Sequence, residues 1–545
     1  MQQSWKVVVF LSAVAGSLVA SPLEGLSQQS PVSTVTVQRA GSPVPSGPNG
    51  EGLLWDSLGW YKVEQKTGII AEYYIEPGIS TNNTMEKGDP ATGSAAQPGD
   101  ANGPIGWPSD ADEPTFEQGE EFIHRNDRSN IVSGVTPTPA PMLKSFDWGF
   151  MSDTVYGRSA KGCLMAGFDS NWSMNPNAAN DSANRYMYLC QPNAFFSLYV
   201  PILKGVTLQF GRMDDTAATY EIPPAAQWGP NMFYSKSYGF FRDMTVVGGR
   251  ISANIFHSES KGYLLGEFSV NQGDKTVYSM NGHRNYVYAL RYRTPKMGTG
   301  IYYSGRVGYG NVTADAGCST TTGCTTPIKP IWVSDNLDNY HVFSPRSQRL
   351  FENSLIITQE FRPRWMVTAQ LQFGKQFGDG KADTIAVYSP AVVSRTSRTL
   401  DMSICNLPQP TATPYCRAGF TGASYLSYGG MATYVIKPRK LTGSLRLEEF
   451  RNPNAYFDGP VFAVVNNTYG ANAGLPPNWG GIKGAFNEVT GGVNYNPTLN
   501  LRIRPELRYD WQSGSYVANG FGQNNPDGVT SSSQLTAAVD MVATF

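Results

Sequence analysis

The segment from Leu499 to Trp511 alternates without interruption between apolar and polar residues, and this period of two restricts the fold more than any other feature of the sequence. Successive side chains of a β-strand point to opposite faces of the sheet. One face therefore carries Leu499, Leu501, Ile503, Leu507, Tyr509 and Trp511, and the other carries Asn500, Arg502, Arg504, Glu506, Arg508 and Asp510. Such a strand separates an apolar environment from water. By itself it does not distinguish a membrane barrel from the surface of a soluble sheet.

Several other segments repeat this alternation. They include Tyr286 to Arg293, Trp365 to Phe373 and Leu535 to Phe545, where the chain ends on an apolar position. Aromatic residues favour the ends of the apolar faces, which is typical of the aromatic girdles of membrane barrels. The sequence therefore predicts an all-β fold, a transmembrane antiparallel β-barrel.

The composition agrees with a barrel and limits the partners. Charged residues make up 16% of the chain, below the roughly 25% of soluble domains, and aromatic residues make up 12%. The mean hydropathy is −0.31, which is polar because lipid-facing and water-facing residues alternate and cancel. The formal net charge of −1 argues against a nucleic-acid partner, since phosphate contacts need a basic surface.

Short and long connections largely alternate along the chain. The short turns are Pro201 to Gly205, His257 to Lys261, Thr294 to Gly300, Arg362 to Arg364, Lys437 to Lys440 and Asn496 to Thr498. The long loops are Gly157 to Gln191, Asp214 to Gly239, Gly310 to Arg349, Phe377 to Ser424, Asn452 to Phe486 and Ser513 to Ser531. Outer-membrane barrels have short periplasmic turns and long extracellular loops.

The strand count follows from the position of the chain end. Counting back from a periplasmic Phe545 gives fourteen strands as far as Ser145 to Tyr156. A further pair, Ile69 to Ser80 and Glu120 to Arg128, makes about sixteen, which we prefer over fourteen. The role of the insert from Asn82 to Gln118 is not evident from its sequence.

The chain before the barrel divides into two parts. Residues 1–20 have a basic start, an apolar core and a small residue at Ala20, which indicates a cleaved signal peptide and export. Residues 21–66 form a periplasmic leader rich in Pro and Ser, in which Leu54, Trp55, Leu58 and Tyr61 have helical spacing. The barrel is expected to occupy residues 67–545.

The six cysteines fall in pairs within three of the long loops. These pairs are Cys163 with Cys190, Cys318 with Cys324, and Cys405 with Cys416. Three local disulfides are the simplest interpretation, because the periplasm is oxidising and each bond would restrict a long loop. Free or cross-paired thiols are the alternative.

Three segments resemble the OmpL-like beta-barrel porin family. They are Phe146 to Gly157, Gly205 to Arg212 with Asn231 to Tyr238 after it, and Phe486 through Trp511 to Phe545. The resemblance implies an outer-membrane diffusion pore without catalytic residues. It also implies that the barrel-insertion machinery recognises the tail at Phe545. The chain departs from the family pattern in the Asn82 to Gln118 insert and in its cysteine-containing loops.

Strand parity assigns a set of charged side chains to the lumen. The basic ones are Arg250, Arg291, Arg293, Arg306, Arg446, Arg502, Arg504 and Arg508, and the acidic ones are Glu448, Glu506, Asp510 and Asp540. Rings of arginine favour anions, so eight arginines against four acids predict a weak anion preference. The alternative is an ion-paired wall without net selectivity.

The loop from Asp214 to Gly239 is a candidate constriction. It contains Asp214, Asp215, Tyr220, Glu221, Trp228, Tyr234 and Lys236, and its two consecutive prolines would stiffen it. A long aromatic loop at this place either folds into the lumen or packs outside on its neighbours. The sequence does not decide between these arrangements.

The expected function is that of a porin through which small hydrophilic solutes or ions diffuse passively. Its partners would be the lipid bilayer and those solutes, and no cofactor is expected. The sequence does not decide whether the chain forms a homo-oligomer. The alternatives are a structural or adhesive outer-membrane barrel and, less favoured, a barrel hydrolase. A hydrolase needs a nucleophile with a nearby base, and none of the four histidines lies in a recognisable nucleophile motif.

Overall fold

The structure of the chain is a computed structural model. It describes residues 58–59, 61–83, 114–125, 144–157, 160, 165, 168–169, 188–214, 245–274, 277, 283–295, 298–310, 318–319, 323–324, 341–343, 348–361, 364–377, 386–388, 422–452, 484–498, 500–513 and 531–545.

The dominant element is a closed barrel of sixteen antiparallel strands. In chain order they are β1 (Ile69–Asn82), β2 (Thr115–Arg125), β3 (Asp147–Gly157), β4 (Tyr188–Val200), β5 (Val206–Asp214), β6 (Thr245–Ser258), β7 (Gly262–Asp274), β8 (Asn285–Arg293), β9 (Thr299–Gly310), β10 (Gln348–Phe361), β11 (Trp365–Phe377), β12 (Gly422–Lys437), β13 (Leu441–Asn452), β14 (Gly484–Thr498), β15 (Leu501–Ser513) and β16 (Ser533–Thr544). Each strand pairs with the next, and β16 closes on β1. The predicted barrel and its preferred strand count are confirmed.

The short connections lie at one end of the barrel, as the sequence predicts. In the turn between β4 and β5, Leu203, Lys204 and Gly205 all have positive φ, and a Cβ on Gly205 would lie 2.5 Å from the Tyr199 hydroxyl. This position therefore requires glycine. The connection between β2 and β3 is the exception at this end, since it runs from 126 to 146.

One predicted turn was wrong. Asn496 to Thr498 belongs to the end of β14, and β15 begins at Leu501, so only two residues separate the strands. The register between β14 and β15 shifts between Tyr495 and Thr498. This irregularity accommodates Pro497, which has no N–H to donate to the ladder.

A seven-residue helix, α1 (Tyr61–Thr67), precedes β1. Leu58, which the spacing of Leu54, Trp55, Leu58 and Tyr61 places in a helix, is also helical and is 65% exposed. Leu54 and Trp55 lie outside the described residues. In the parts of the chain that the structure describes, no helix has the length and apolar character needed to cross a membrane.

Two small sheets lie in segments predicted as long loops. Cys318–Ser319 pairs with Gly323–Cys324, and His341–Phe343 pairs with Ala386–Tyr388. The first pairing places Cys318 and Cys324 directly opposite each other in the backbone. The second joins the connection after β9 to the connection after β11.

The two faces of the barrel wall differ sharply in exposure. On β15, Leu507 and Tyr509 are 55% and 41% exposed, whereas Arg508 and Asp510 are fully buried. The same alternation recurs on β16, where Leu535 and Val539 are exposed and Asp540 is buried. An apolar outer face and a polar inner face are what a membrane barrel requires.

The first and last strands close the barrel through an interrupted ladder. The terminal Phe545 donates its N–H to the Tyr73 carbonyl at 2.7 Å and accepts the Tyr73 N–H at 3.5 Å. Pairing resumes at Gly78, with no pairs described at Glu76 and Pro77. Proline cannot donate to the ladder, so the closing seam is weakest in backbone hydrogen bonds at this height.

Candidate functional site in the inner wall of the barrel

All twelve charged residues that strand parity assigns to the lumen lie on the inner face. They are Arg250, Arg291, Arg293, Arg306, Arg446, Glu448, Arg502, Arg504, Glu506, Arg508, Asp510 and Asp540, and none is more than 8% exposed. The alternation of burial along each strand puts them on the face opposite the exposed apolar side chains. Their role in conduction stays a prediction.

Six further carboxylates of the inner wall were not among the charged residues that the sequence assigned to the lumen. Glu76, Glu120, Asp153, Glu267, Glu352 and Glu488 occupy inner-face positions and are at most 5% exposed. With Glu448, Glu506, Asp510 and Asp540 they give at least ten carboxylates against eight arginines. The excess of arginine that suggested an anion preference does not hold for the described inner wall.

A ladder of ion pairs crosses β13, β14 and β15. Arg446 pairs with Glu488, and Arg508 Nη2 lies 2.6 Å from Glu488 Oε2. Arg508 also donates Nε to Asp510 Oδ2 at 2.8 Å and Nη2 to Asp510 Oδ1 at 3.0 Å. All four side chains are fully buried or nearly so. One carboxylate thus holds two guanidinium groups from the strands on either side.

A second ion network spans the closing seam. Arg504 on β15 donates Nε to Asp540 Oδ1 on β16 at 2.9 Å. Its Nη2 reaches across β16 to Glu76 Oε1 on β1 at 2.8 Å. All three side chains are buried. We call these residues the seam clasp, because they connect the three strands where the β1–β16 ladder is interrupted.

Two more buried pairs lie on the opposite part of the wall. Arg291 on β8 pairs with Glu267 on β7, with Nε 3.1 Å from Oε1, and its guanidinium lies 4.5 Å above the Tyr302 ring. Arg306 on β9 pairs with Glu352 on β10. Breaking a buried pair leaves an uncompensated charge, which is strongly destabilising. Each pair therefore restricts where its guanidinium can lie.

The inner faces of β11 and β12 are of a different kind. Their buried polar side chains, Thr368, Gln370, Gln372 and Ser427, are at most 4% exposed, and none of the described buried residues of these two strands is charged. The Thr368 hydroxyl lies 3.3 Å from that of Thr358. The described wall thus combines charged parts with a neutral part made of hydroxyl and amide groups.

One buried ion pair joins the end of β5 to the connection between β3 and β4. Arg212 follows Gly211, whose φ of 133° interrupts the alternation of β5, and it is 2% exposed. It pairs with Asp169, which also accepts the backbone N–H of Met165 at 2.6 Å and of Gln191 at 3.0 Å. The pair therefore fixes part of the connection between β3 and β4 to the end of β5. The alternation pattern did not reveal it, because Asp169 lies outside every strand.

Most of the predicted constriction lies outside the described residues. Only Asp214 is described, as the last residue of β5 paired with Thr245. Asp215, Tyr220, Glu221, Trp228, Tyr234 and Lys236 all lie outside. The constriction therefore stays a prediction.

Only some of the predicted disulfide cysteines lie within the described residues. Cys190 was expected in a loop, but it lies inside β4 opposite Val155 and is fully buried. The strand starts earlier than expected because it continues through the irregular register near Asp153. Cys163, Cys405 and Cys416 lie outside the described residues, so the three pairings stay predictions.

The groups in the described wall suit binding by charge and hydrogen bonds. No group of three or more His, Cys, Asp or Glu suited to hold a metal ion occurs among the described residues. His124 is on β2, His257 is on β6, His283 precedes β8 and His341 begins the short strand His341–Phe343, so the four histidines lie at separate places in the fold.

Comparison with known proteins gives one family match. The profile of the family described as "Putative beta-barrel porin-2, OmpL-like" matches residues 145–545. This confirms the resemblance inferred from the three sequence segments. The match begins just before β3, so β1 and β2 precede the matched region. No curated protein matches the chain at a significant level.

Solved structures resemble the chain only distantly. The outer membrane channel DcaP of Acinetobacter baumannii is 9% identical, with 88% of this chain and 97% of that chain covered and a TM-score of 0.44. The anion-selective porin from Comamonas acidovorans is 9% identical, with 88% and 99% covered and a TM-score of 0.43. OmpT of Vibrio cholerae is 8% identical, with 88% and 97% covered and a TM-score of 0.39. At these values the similarities assign no solute or selectivity to this chain.

Proposed function

The chain belongs to the OmpL-like beta-barrel porin-2 family, and from this premise we propose that it forms a water-filled channel for passive diffusion of small hydrophilic solutes or ions across the bacterial outer membrane. The observation that carries the proposal is the closed sixteen-stranded barrel with a polar, charged inner face. Barrels of sixteen to eighteen strands are wide enough to leave an aqueous channel. The proposal requires that water reaches the side chains of the inner wall.

Conductance of the purified, refolded protein in a planar lipid bilayer tests the proposal. We expect stepwise current increments as single barrels insert, with a size proportional to the salt concentration. Heat-modifiable migration in gels verifies in the same preparation that the barrel is folded. A folded barrel that gives no current steps would contradict the channel. It would favour the alternative, a structural or adhesive barrel.

Ion selectivity is the second part of the proposal. The sequence predicts a weak anion preference, but at least ten inner carboxylates stand against eight arginines in the described wall. Because most of the arginines described above have carboxylate partners, we propose a charge-balanced lumen with at most weak selectivity. A salt gradient across the bilayer should therefore give a reversal potential close to zero. A strong preference for either ion would contradict this balance.

The remaining parts of the proposal concern export and the loops. Residues 1–20 would be removed as a signal peptide, the insertion machinery would recognise the tail at Phe545, and the disulfides would form in the periplasm. The loop after Asp214 would narrow the lumen, so deleting part of it should raise the conductance. An unchanged conductance would place that loop outside the pore.

A further inference from the structure

A continuous row of uncharged side chains crosses the inner wall from β9 to β14. Strand register places each residue directly opposite the next: Ser304, Ser354, Gln372, Ser427, Phe450 and Phe486. All six are at most 2% exposed. Neighbouring strands lie about 4.8 Å apart, so the row spans roughly 24 Å of wall. We call these six residues the neutral row.

The middle of the neutral row holds polar atoms that the protein leaves without partners. Neither amide atom of Gln372, nor the hydroxyl of Ser354 opposite it, has a hydrogen-bond partner in the parts of the chain that the structure describes. Buried amides and hydroxyls are normally satisfied, and unsatisfied ones are costly. An amide that offers a donor and an acceptor, next to a hydroxyl that offers both, is arranged to receive a partner with the same two capacities.

The other end of the neutral row is aromatic. Phe450 and Phe486 face each other across β13 and β14, and Tyr425 stacks on Phe450 with ring centroids 5.6 Å apart and an interplanar angle of 14°. Gly374 permits this position of Tyr425, because a Cβ there would lie 2.3 Å from the tyrosine ring. Flat apolar rings beside neutral hydrogen-bonding groups match a molecule that has both C–H faces and hydroxyl groups.

We propose that the neutral row binds uncharged polyhydroxy solutes, of which a hexose is the simplest probe, during their passage through the barrel. The proposal rests on the channel function, which requires that the inner wall opens to water and solutes, and it names the solute class. Hydroxyl groups of the solute would exchange hydrogen bonds with Gln372 and Ser354, and its C–H face would pack on Phe450. A charged solute of the same size would lose its hydration there without gaining an ionic partner within the row.

Block of the ion current by glucose tests the neutral row. In a bilayer with constant potassium chloride, increasing glucose should lower the current of the wild-type barrel along a saturating curve. Gluconate, which is similar in size but charged, and triethylene glycol, which has few hydroxyl groups, should lower it without saturation. The current of each protein without added solute serves as its own reference.

Substitution of Gln372 locates the effect. Q372L should raise the glucose concentration for half-block about tenfold, the value of one lost hydrogen bond of ordinary strength. Should this variant fail to fold, Ser354→Ala removes only one hydroxyl and should weaken the block in the same direction. The matched control is Gln534→Leu on β16, a buried inner-wall glutamine that already donates to Thr536 at 3.1 Å and is not in the row. Its half-block should equal that of the wild type.

The outcomes separate this proposal from the channel itself. Ion current without saturable glucose block would overturn the neutral row while the channel stands. A glucose block that Q372L and Ser354→Ala leave unchanged would also overturn it, since binding would then occur elsewhere. A folded barrel without ion current would instead contradict the channel.

Discussion

The seam clasp and the neutral row lie on the same inner wall but are opposite in their chemistry. In the seam clasp, one guanidinium, Arg504, has two carboxylates at hydrogen-bond distance on the two following strands. In the neutral row, the amide of Gln372 is equally buried and has no described partner. The first arrangement satisfies its charges within the protein, whereas the second leaves hydrogen-bonding capacity unused.

This difference assigns different tasks to the two regions. The side chains of a buried charge network hold one another in fixed positions, because removing one member leaves the charges of the others buried and uncompensated. It therefore suits closure of the barrel where Pro77 interrupts the ladder. Unused neutral donors and acceptors restrain no neighbouring strand, and in the proposed open channel they would be available to a solute. Substitutions in the two regions should consequently affect stability to very different extents.

The largest effect is expected from Arg504→Met in the seam clasp. The substitution preserves most of the side-chain length but leaves Glu76 and Asp540 buried without their cation. We expect the free energy of unfolding to fall by about 3–5 kcal/mol. Urea titration of the barrel in lipid vesicles, followed by tryptophan fluorescence and gel migration, measures the change.

Two further variants test whether the loss comes from uncompensated charge. Arg451→Met removes an arginine from β13 that is 45% exposed and pairs with Glu449, and it should cost at most about 1 kcal/mol. The triple variant Arg504→Met, Glu76→Gln, Asp540→Asn removes all three charges together and should recover most of the stability. Equal losses for Arg504→Met and Arg451→Met would show that the seam clasp has no special role.

A smaller effect is expected from Glu488→Gln in the ladder of β13 to β15. Arg508 keeps Asp510 as a partner, whereas the residue that pairs with Arg446 at position 488 becomes uncharged. We expect a loss of about 1.5–3 kcal/mol, the range for one hydrogen bond to a charged group. The same urea titration measures it, and Glu449→Gln on the outer face is the matched control. A loss as large as that of Arg504→Met would mean that the ladder, not the seam, limits stability.

The smallest effect on stability is expected in the neutral row. Q372L replaces an amide without described partners by an apolar group of similar volume, so the free energy of unfolding should stay the same or rise by up to about 1 kcal/mol. Gln534→Leu should instead lower it, because that amide is bonded to Thr536. A marked destabilisation by Q372L would show that its amide is satisfied within the protein, which would remove the reason to expect a solute there.

Much of the fold could be predicted from the sequence because the relevant signal is local. The alternation of Leu507, Arg508, Tyr509 and Asp510 separates the two faces of β15 without knowledge of any other strand. Strand number followed from the spacing of such segments, and the family followed from three of them. Where proline interrupts the pattern, as at Pro497, the predicted turn was displaced.

The candidate site was predicted only in part for a related reason. The eight inner arginines were found, but Glu76, Glu352 and Glu488 were not counted, since their strands have shorter or less regular alternation. Their importance depends on which arginine they face. Which arginine they face depends on the register between neighbouring strands, and the sequence of a single strand does not determine that register.

By itself, the sequence determined which side chains face lipid and which face inward, because that choice repeats every second residue within one strand. Only the tertiary structure decided which inward side chains meet. Arg504 and Glu76 are far apart in the chain and become neighbours through barrel closure, and Ser354, Gln372 and Ser427 form one row only because three strands pair in a particular register. The physical reason is that side-chain direction is set by the local backbone, whereas partners are set by hydrogen-bonded pairing across connections of very different length.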